Sequence, residues 1–175
     1  MDKYEIRLSG SGGQGVILAS IILAEAAILE GKNAVQTQSY GPEARGGASK
    51  AEVIISNQKI DFPKVRNCDI FLSLTQKSFE QYGLGVKEDG VVIVDNIVNV
   101  KNKKAFSVPI IDTAHHVIGK PIVTNIVALG ALVAITNIVS REVLEQAVLN
   151  RVPKGTEELN KKALTMGYEI GEKAL

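Results

Sequence analysis

A glycine loop, Gly10-Ser11-Gly12-Gly13-Gln14-Gly15, stands between a short alternating segment and a long apolar one. Backbone without Cβ atoms can approach a phosphate or carboxylate closely and direct several N–H groups at it. The first turn of a helix adds to this, because its N–H groups lack intrahelical partners and its dipole is positive there. The loop is therefore a candidate site for an anion or for a loop of a partner protein.

The same loop satisfies the G-x-G-x-x-G pattern of dinucleotide-binding proteins. Such a site needs a carboxylate about twenty residues further on, at the end of the second strand, to bind a ribose hydroxyl. Residues 34–38 are Ala-Val-Gln-Thr-Gln, without a carboxylate or a basic residue in its place. The sequence thus argues against a stand-alone nicotinamide or flavin enzyme. Another interpretation stays open, in which the glycines only let helix and strand pack closely.

A second unusual loop is Gly41-Pro42-Glu43-Ala44-Arg45-Gly46-Gly47. Proline fixes one backbone torsion and the glycines permit positive ones, so this loop can present Glu43 and Arg45 in a defined shape. An arginine can bind a phosphate or carboxylate with two parallel hydrogen bonds, and Glu43 could accept from a hydroxyl or orient a cofactor ring. The alternative is an ordinary turn whose charges are solvated.

Other chemistry-bearing residues form no recognisable constellation. His115 and His116 are adjacent and point different ways on any regular element, and Cys68 precedes a buried strand as a small core residue. Asp95 could line the ligand-binding edge or start a turn. The sequence has no nucleophile elbow, Walker loop or metal-spaced cluster. We assign no catalytic residue and no metal ligand, and expect the isolated chain to be inactive.

Composition restricts the class of protein. The 175 residues carry 20 basic and 19 acidic side chains, a balance that favours neither nucleic acid nor an anionic membrane as partner. One cysteine is too few for a disulfide or for a cysteine-ligated iron–sulfur cluster held by this chain alone. The two apolar stretches, residues 16–29 and 122–139, are shorter than the ~20 residues of a spanning helix. Without a signal segment either, the chain is expected to be cytoplasmic.

The elements around the two loops indicate how they are positioned. Residues 5–9 predict a strand, residues 16–30 a helix that is apolar on nearly every side, and residues 34–38 a second strand. Strand, helix and strand form a βαβ unit. If the two strands are parallel neighbours, both loops open on the same edge of the sheet, where α/β proteins place their ligands.

The rest of the chain predicts a hairpin, three strands and four helices. Residues 51–55 and 59–62 flank Asn57-Gln58 and suggest an antiparallel hairpin. Strands are predicted at residues 70–74, 91–95 and 105–110, the last of them on an edge of the sheet. One helix follows Thr75, a second begins near residue 124 and a third follows Ser140. The last helix closes the chain and has an apolar stripe of Leu159, Ala163, Met166 and Ile170. We predict one domain, residues 1–175, with a three-layer α/β/α, Rossmann-like fold and a mainly parallel sheet.

Four segments resemble the gamma subunit of 2-oxoacid:ferredoxin oxidoreductases, and the closest resemblance is to the 2-oxoglutarate type. They are residues 12–16 (GGQGV), 39–47 (SYGPEARGG), 125–130 (NIVALG) and 154–160 (KGTEELN), in the family's order along essentially the whole chain.

The resemblance implies a function. In that family a 2-oxoacid and coenzyme A give acyl-CoA, carbon dioxide and reduced ferredoxin. Thiamine diphosphate and its magnesium ion lie mainly on alpha and beta subunits, and the iron–sulfur clusters lie on beta or on a ferredoxin-like delta subunit. The gamma subunit packs beside the active site and helps to form the coenzyme A channel. We therefore expect no cofactor bound tightly by this chain, and these subunits, with ferredoxin reached through the complex, as its partners.

The resemblance also points to site residues. Gly12, Gly13, Gln14 and Gly15 are implied to contact the cofactor or a partner loop, and Glu43 and Arg45 a partner or ligand. The alternatives are a subunit acting on pyruvate, branched-chain 2-oxoacids or indolepyruvate, a stand-alone dinucleotide-binding dehydrogenase, and a nucleotide-binding module without catalysis.

Overall fold

The computed structural model describes residues 3–39, 47–101 and 104–175. Within them the strands are β1 (Lys3–Ser11), β2 (Asn33–Gln38), β3 (Ala48–Ser56), β4 (Cys68–Ser73), β5 (Val86–Asp95) and β6 (Phe106–Val108). They form one sheet in the order β2-β3-β1-β4-β5-β6. β1, β4, β5 and β6 are mutually parallel, whereas β3 runs antiparallel to both of its neighbours. The predicted mixed, mainly parallel sheet is confirmed, with β6 at an edge.

The helices of the described residues are α1 (Val16–Leu29), α2 (Gln76–Tyr82), the single turn α3 (Ile110–Asp112), α4 (Thr124–Thr136), α5 (Arg141–Arg151) and α6 (Glu157–Glu172). A π-helical turn, Thr113–Val117, and a 3-10 turn, Pro121–Val123, lie between α3 and α4. The predicted caps are present. The Thr75 hydroxyl accepts from the Ser78 N–H at 3.2 Å, and the Ser140 hydroxyl accepts from the Val143 N–H at 3.4 Å.

Two apolar cores lie on the two faces of the sheet. The larger one joins the sheet to α1, α4, α5 and α6, and its fully buried side chains include Ile22, Leu129, Leu132, Leu144 and Leu164. The smaller one joins β4 and β5 to α2, where Phe71 and Phe79 stack with ring centroids 6.0 Å apart. The three-layer α/β/α arrangement is therefore confirmed, with layers of unequal thickness. Its thick layer contains both helices that reach the glycine loop.

One sequence prediction about the sheet is wrong, and one condition that the sequence analysis considered is not met. Residues 59–62 form no strand, because β3 finds its antiparallel partners in β1 and β2 rather than in the segment that follows it. β1 and β2 are not neighbours either, because β3 lies between them. Both are antiparallel to β3, however, so β1 and β2 still point the same way and end at the same edge.

The predicted stripe of the last helix is confirmed in part, since Ala163 is buried and Leu159 and Ile170 pack against the core, but the helix makes its closest packing through small residues. Its buried positions are Asn160, Ala163, Leu164, Gly167 and Gly171, whereas Leu159, Met166 and Ile170 are half-buried.

Close approach of α4 and α6 explains this difference. A Cβ on Gly130 of α4 would lie 2.6 Å from the Leu164 carbonyl oxygen and 2.9 Å from the Gly167 Cα. The two backbones touch there, so glycine is needed on both helices. The crossing fixes α4, whose first turn contacts the glycine loop.

The helices are also short compared with a bilayer. Among the residues that the structure describes, no helix is both long enough and apolar enough to cross a membrane.

Candidate functional site

The glycine loop lies where the order of the strands changes direction. From the carboxyl end of β1 the chain passes through α1 to β2 on one side of the sheet, while β4 lies against β1 on the other side. In open α/β sheets this switch point, outside the carboxyl ends of the strands, is the usual place for a ligand. The position of the loop in the fold therefore agrees with a binding role.

Hydrogen bonds within the loop give it a compact shape. The Ser11 N–H donates to the Gln14 Oε1 at 2.7 Å, and the Gln14 N–H donates to the Ser11 carbonyl oxygen at 3.3 Å. Gly13 and Gly15 have φ values of +88° and +74°, in the left-handed region that glycine tolerates. The carbonyl end of the Gln14 side chain thus orders the loop, which leaves its amide nitrogen available for other contacts.

The first turn of α1 has the features of an anion site. Gly15 precedes the helix without any side-chain cap, and the first turn contains no acidic residue. The first intrahelical bond runs from the Ala19 N–H to the Gly15 carbonyl oxygen at 3.0 Å, so the N–H groups of residues 16–18 precede it. Gly13, in front of this turn, is exposed. An anion can therefore reach the positive end of α1.

A second helix begins at the same place. The Asn125 side chain, in the first turn of α4, donates through its Nδ2 to the Gly15 carbonyl oxygen at 3.3 Å. α4 also starts without a side-chain cap and without an acidic residue in its first turn. The N-terminal ends of two helices of more than ten residues thus meet at Gly15 and Asn125. The Pro121 carbonyl oxygen of the preceding 3-10 turn accepts from the Thr124 N–H, so α4 contributes the positive end of its dipole rather than free N–H groups.

Sequence reasoning missed this contribution of α4. Asn125 belongs to one of the segments that carry the family resemblance, but a contact with a residue 110 positions earlier leaves no local signal. Asn125 is 5% exposed, and its Oδ1 has no hydrogen-bond partner within the described part of the chain.

A small cavity adjoins this contact. It has a volume of about 10 Å³, and Gln14 and Asn125 are the polar residues lining it; its apolar lining is Leu8, Val16, Ala19, Leu72, Leu74, Ala128, Leu129 and Leu132.

The flanks of the second loop lie at the same edge as the glycine loop. The Gly12 N–H donates to the Gly47 carbonyl oxygen at 3.2 Å, and Gln38, which ends β2, pairs with Ala51 of β3. Glu43 and Arg45 themselves lie outside the described residues, so their contacts stay predictions. The expected convergence is confirmed for the residues that flank the loop.

A family model of pyruvate ferredoxin/flavodoxin oxidoreductases matches residues 5–170. The chain belongs to this family. The 2-oxoglutarate synthase subunit KorC of Methanocaldococcus jannaschii is 53% identical in an alignment that covers 97% of this chain and 95% of that relative. The gamma subunit common to the pyruvate and ketoisovalerate oxidoreductases of Pyrococcus furiosus is 32% identical, covering 96% of this chain and 97% of that relative.

A crystal structure leads to the same assignment. The gamma subunit of a keto/oxoacid ferredoxin oxidoreductase from Geobacter sulfurreducens superposes with a TM-score of 0.90 at 50% identity, covering 99% of both chains. The resemblance to gamma subunits of this oxidoreductase family is therefore confirmed. Membership in the family favours a subunit of a larger enzyme over a stand-alone dehydrogenase.

The side chains at the end of β2 also argue against a stand-alone dehydrogenase. A dinucleotide site would need a carboxylate here, whereas the Gln36 side chain donates to the Ser20 hydroxyl at 2.9 Å and to the Gln38 Oε1 at 3.0 Å. These amides tie β2 to α1. They offer no carboxylate to a ribose.

The remaining candidates have structural roles in this member of the family. The fully buried Asp95 carboxylate accepts from the Ile97 N–H at 3.1 Å and from the Ile111 N–H at 2.7 Å, and desolvation raises the pKa of this carboxyl above its ordinary value. It therefore starts a turn and caps α3. Burial likewise raises the pKa of the Cys68 thiol to about 11, which makes this core residue a poor nucleophile.

The two histidines form no metal site. His116 lies on the surface, where its Nδ1 is 2.8 Å from an Asp112 carboxylate oxygen. Among the described residues, no three His, Cys, Asp or Glu side chains are grouped so that they could hold a metal ion.

Proposed function

We propose that this chain is the gamma subunit of a 2-oxoglutarate:ferredoxin oxidoreductase. The complex would decarboxylate the 2-oxoacid, join the resulting acyl group to coenzyme A and pass the electrons to ferredoxin. Whole-length similarity to a 2-oxoglutarate synthase subunit supports both the class of enzyme and the substrate. We propose further that residues 1–175 act as one domain, in the cytoplasm.

The meeting at Gly15 of two helix N-termini without side-chain caps carries the proposal for the site. Coenzyme A has a pyrophosphate and a 3′-phosphate, and both are anions of the kind that helix N-termini bind. Neither first turn contains an acidic residue that would repel them. We propose that Gly12, Gly13, Gln14 and Gly15 contact coenzyme A through backbone and side-chain amides. Arg45 would add a charged hydrogen bond to phosphate, and Glu43 a contact to a partner or to the ligand.

The other cofactors are assigned to partner subunits. Thiamine diphosphate is held with a magnesium ion, which requires oxygen ligands, and iron–sulfur clusters require several cysteines. The chain has a single cysteine, and that residue is buried. We therefore propose that alpha and beta subunits, with a delta subunit where the clusters lie on one, supply these groups, and that ferredoxin contacts them.

Exposed apolar side chains support an assembly that covers the site. Ile122, just before α4, is 82% exposed, and Leu18, in the first turn of α1, is 36% exposed. Both lie within a few residues of the Gly15–Asn125 contact. A partner subunit packed over this edge would bury them and close one wall of the coenzyme A channel.

A reconstituted complex tests the site. We expect Gln14→Ala and Arg45→Ala each to raise the KM for coenzyme A about tenfold, since a hydrogen bond to a charged group contributes about 1.5–3 kcal/mol. The exposed Gln146, far along the chain on α5, provides the control variant Gln146→Ala, which should change nothing. If both test variants left the KM for coenzyme A and the assembly of the complex unchanged, the site assignment would be wrong.

The substrate requires a separate experiment. The gamma subunit of Pyrococcus furiosus named above serves pyruvate and ketoisovalerate enzymes, so these 2-oxoacids are the second candidates. The complex should be purified through this chain from native extract and assayed with a panel of 2-oxoacids, with reduction of a viologen dye as the signal. We expect 2-oxoglutarate to give the highest kcat/KM. A higher value for pyruvate, a branched-chain 2-oxoacid or indolepyruvate would replace the substrate while keeping the class.

A further inference from the structure

We propose that Asn125 is a positioning residue for the glycine loop. Its side chain joins the first turn of α4 to Gly15 and, through one buried water shared with Gln14, holds the loop in the shape that receives coenzyme A. This inference rests on the proposed function of the loop.

The first part of the argument is the fit between Asn125 and Gly15. A Cβ on Gly15 would lie 2.6 Å from the Asn125 Nδ2 and 2.8 Å from its Cγ, so the amide lies directly against the backbone of Gly15. The Gly15 carbonyl oxygen accepts from both the Asn125 Nδ2 and the Ala19 N–H. The Gly15 carbonyl oxygen has two lone pairs: one accepts the first hydrogen bond of α1, and the other accepts from the Asn125 Nδ2.

The second part is the buried Oδ1 of the same side chain. A buried acceptor without a donor costs about 1–3 kcal/mol, so the Asn125 Oδ1 needs a donor other than the protein atoms that the structure describes. Gln14, which is half-buried, can supply a donor. Its Oε1 accepts from the Ser11 N–H, while its Nε2 has no partner among the described residues.

A cavity lined by both side chains fits one water molecule. Gln14 and Asn125 both line it, its volume is about 10 Å³, and its other walls are apolar. That volume is close to the roughly 10–15 Å³ that a single water requires. A water there accepts from one hydrogen of the Gln14 Nε2, whose second hydrogen remains for coenzyme A, and donates to the Asn125 Oδ1. Hydrogen bonds then run without interruption from α4 to the Ser11 N–H at the start of the loop.

Two variants of Asn125 in the reconstituted complex test the inference. Asn125→Ala removes both hydrogen bonds, and we expect the KM for coenzyme A to rise about tenfold while kcat at saturating coenzyme A stays within about twofold.

The control for lost stability is Asn160→Ala. Asn160 is also 5% exposed and lies in the first turn of a helix, where its Nδ2 donates to the Thr156 carbonyl oxygen at 2.9 Å. Urea unfolding should show a similar loss of stability for both variants, and only Asn125→Ala should raise the KM for coenzyme A.

Asn125→Asp separates a hydrogen-bonding role from a packing role. The protonated acid has the shape of asparagine and can donate to the Gly15 carbonyl oxygen, whereas the carboxylate repels it. None of the side chains lining the cavity with Asn125 is titratable, and burial there would raise the pKa of the new carboxyl. The KM of this variant for coenzyme A should therefore increase with pH, relative to wild type, over a range above the ordinary aspartate pKa.

The outcomes distinguish the inference from the function on which it rests. If Asn125→Ala raises the KM no more than Asn160→Ala, or if the Asp variant shows no pH dependence beyond wild type, Asn125 is not the positioning residue. Should Gln14→Ala and Arg45→Ala also leave the KM unchanged, the loop is not the coenzyme A site. Should Asn125→Ala fail to fold, the Asp variant compared at low and high pH still decides the question.

Discussion

The glycines of the α4–α6 crossing and those of the glycine loop have different surroundings. At the crossing, a Cβ on Gly167 would overlap the Val127 carbonyl oxygen and lie 2.9 Å from the Gly130 Cα. In the loop, a Cβ on Gly13 would meet nothing within 4 Å, although φ is +88°. Gly15 is intermediate, because a flexible side chain rather than backbone fills the space beside it.

This difference separates a packing glycine from a site glycine. Contact between two helices explains Gly130 and Gly167 completely, because any larger residue would push the backbones apart. Gly13 has no such explanation. Its backbone conformation favours glycine, and the open space in front of it lies at the positive end of α1. The comparison therefore predicts large losses of stability at the crossing and losses of ligand affinity at the loop.

The largest expected effect is that of Gly167→Ala. Alanine would favour an isolated helix by about 1 kcal/mol, but the clash with the backbone of α4 outweighs this gain. We expect a net loss of about 3 kcal/mol in the free energy of unfolding, measured by urea denaturation. The exposed Lys162, on the same helix, gives the control Lys162→Ala, which should stay within about 0.5 kcal/mol of wild type. A loss below about 1 kcal/mol for Gly167→Ala would mean that the two helices can separate without cost.

Gly15→Ala should have an intermediate effect. A left-handed backbone costs a non-glycine residue about 1–2 kcal/mol, and the displaced Asn125 amide loses its bond, so we expect a total loss of about 2 kcal/mol. The double variant Gly15→Ala/Asn125→Ala separates the backbone strain from the loss of the Asn125 hydrogen bond. Without the Asn125 side chain, the same substitution should cost only the backbone strain, and urea denaturation of the four proteins gives the coupling. Strict additivity would show that the two residues do not interact.

Local signals in the sequence predicted most of the architecture. Thr75 and Ser140 were found as helix caps because a cap is read within three residues, and Gly31 marks the end of α1 with a φ of +80°. The edge position of β6 followed from Pro109, which lies within the predicted segment 105–110.

Predictions failed where the deciding contact is distant in sequence. Residues 59–62 were assigned to a hairpin because they follow β3 closely, yet β3 pairs with β1, in a register that runs from Ser11 opposite Ala48 to Lys3 opposite Ser56. The predicted stripe on α6 located the face that packs on the core, but it missed Gly167 and Gly171, which make the closest contacts with α4.

In the candidate site, too, the local features were predicted and the contact between distant residues was missed. The loop and its helix could be located from Gly10 to Gly15 alone, because their chemistry is local. The part played by α4 could not, because the Asn125–Gly15 bond links residues that only the folded sheet brings together.

The smallest expected change in stability distinguishes the loop from an ordinary turn. Gly13 and Gly31 stand near opposite ends of α1, with φ values of +88° and +80°, and a Cβ on either would meet nothing within 4 Å. Gly13→Ala and Gly31→Ala should therefore each cost about 1 kcal/mol of stability through backbone strain alone. The two ends of a helix differ in charge, however, and an anion is attracted only to the N-terminal end.

Only one of these variants should affect the ligand. A methyl group on Gly13 enters the space through which a phosphate approaches the first turn of α1, so Gly13→Ala should raise the KM of the reconstituted complex for coenzyme A, whereas Gly31→Ala should leave it unchanged. Equal stability losses with unequal KM values would identify the open space before α1 as occupied by ligand. Equal KM values would show that Gly13 is an ordinary turn glycine. The glycine loop and the α4–α6 crossing would then differ only in how tightly their glycines are packed.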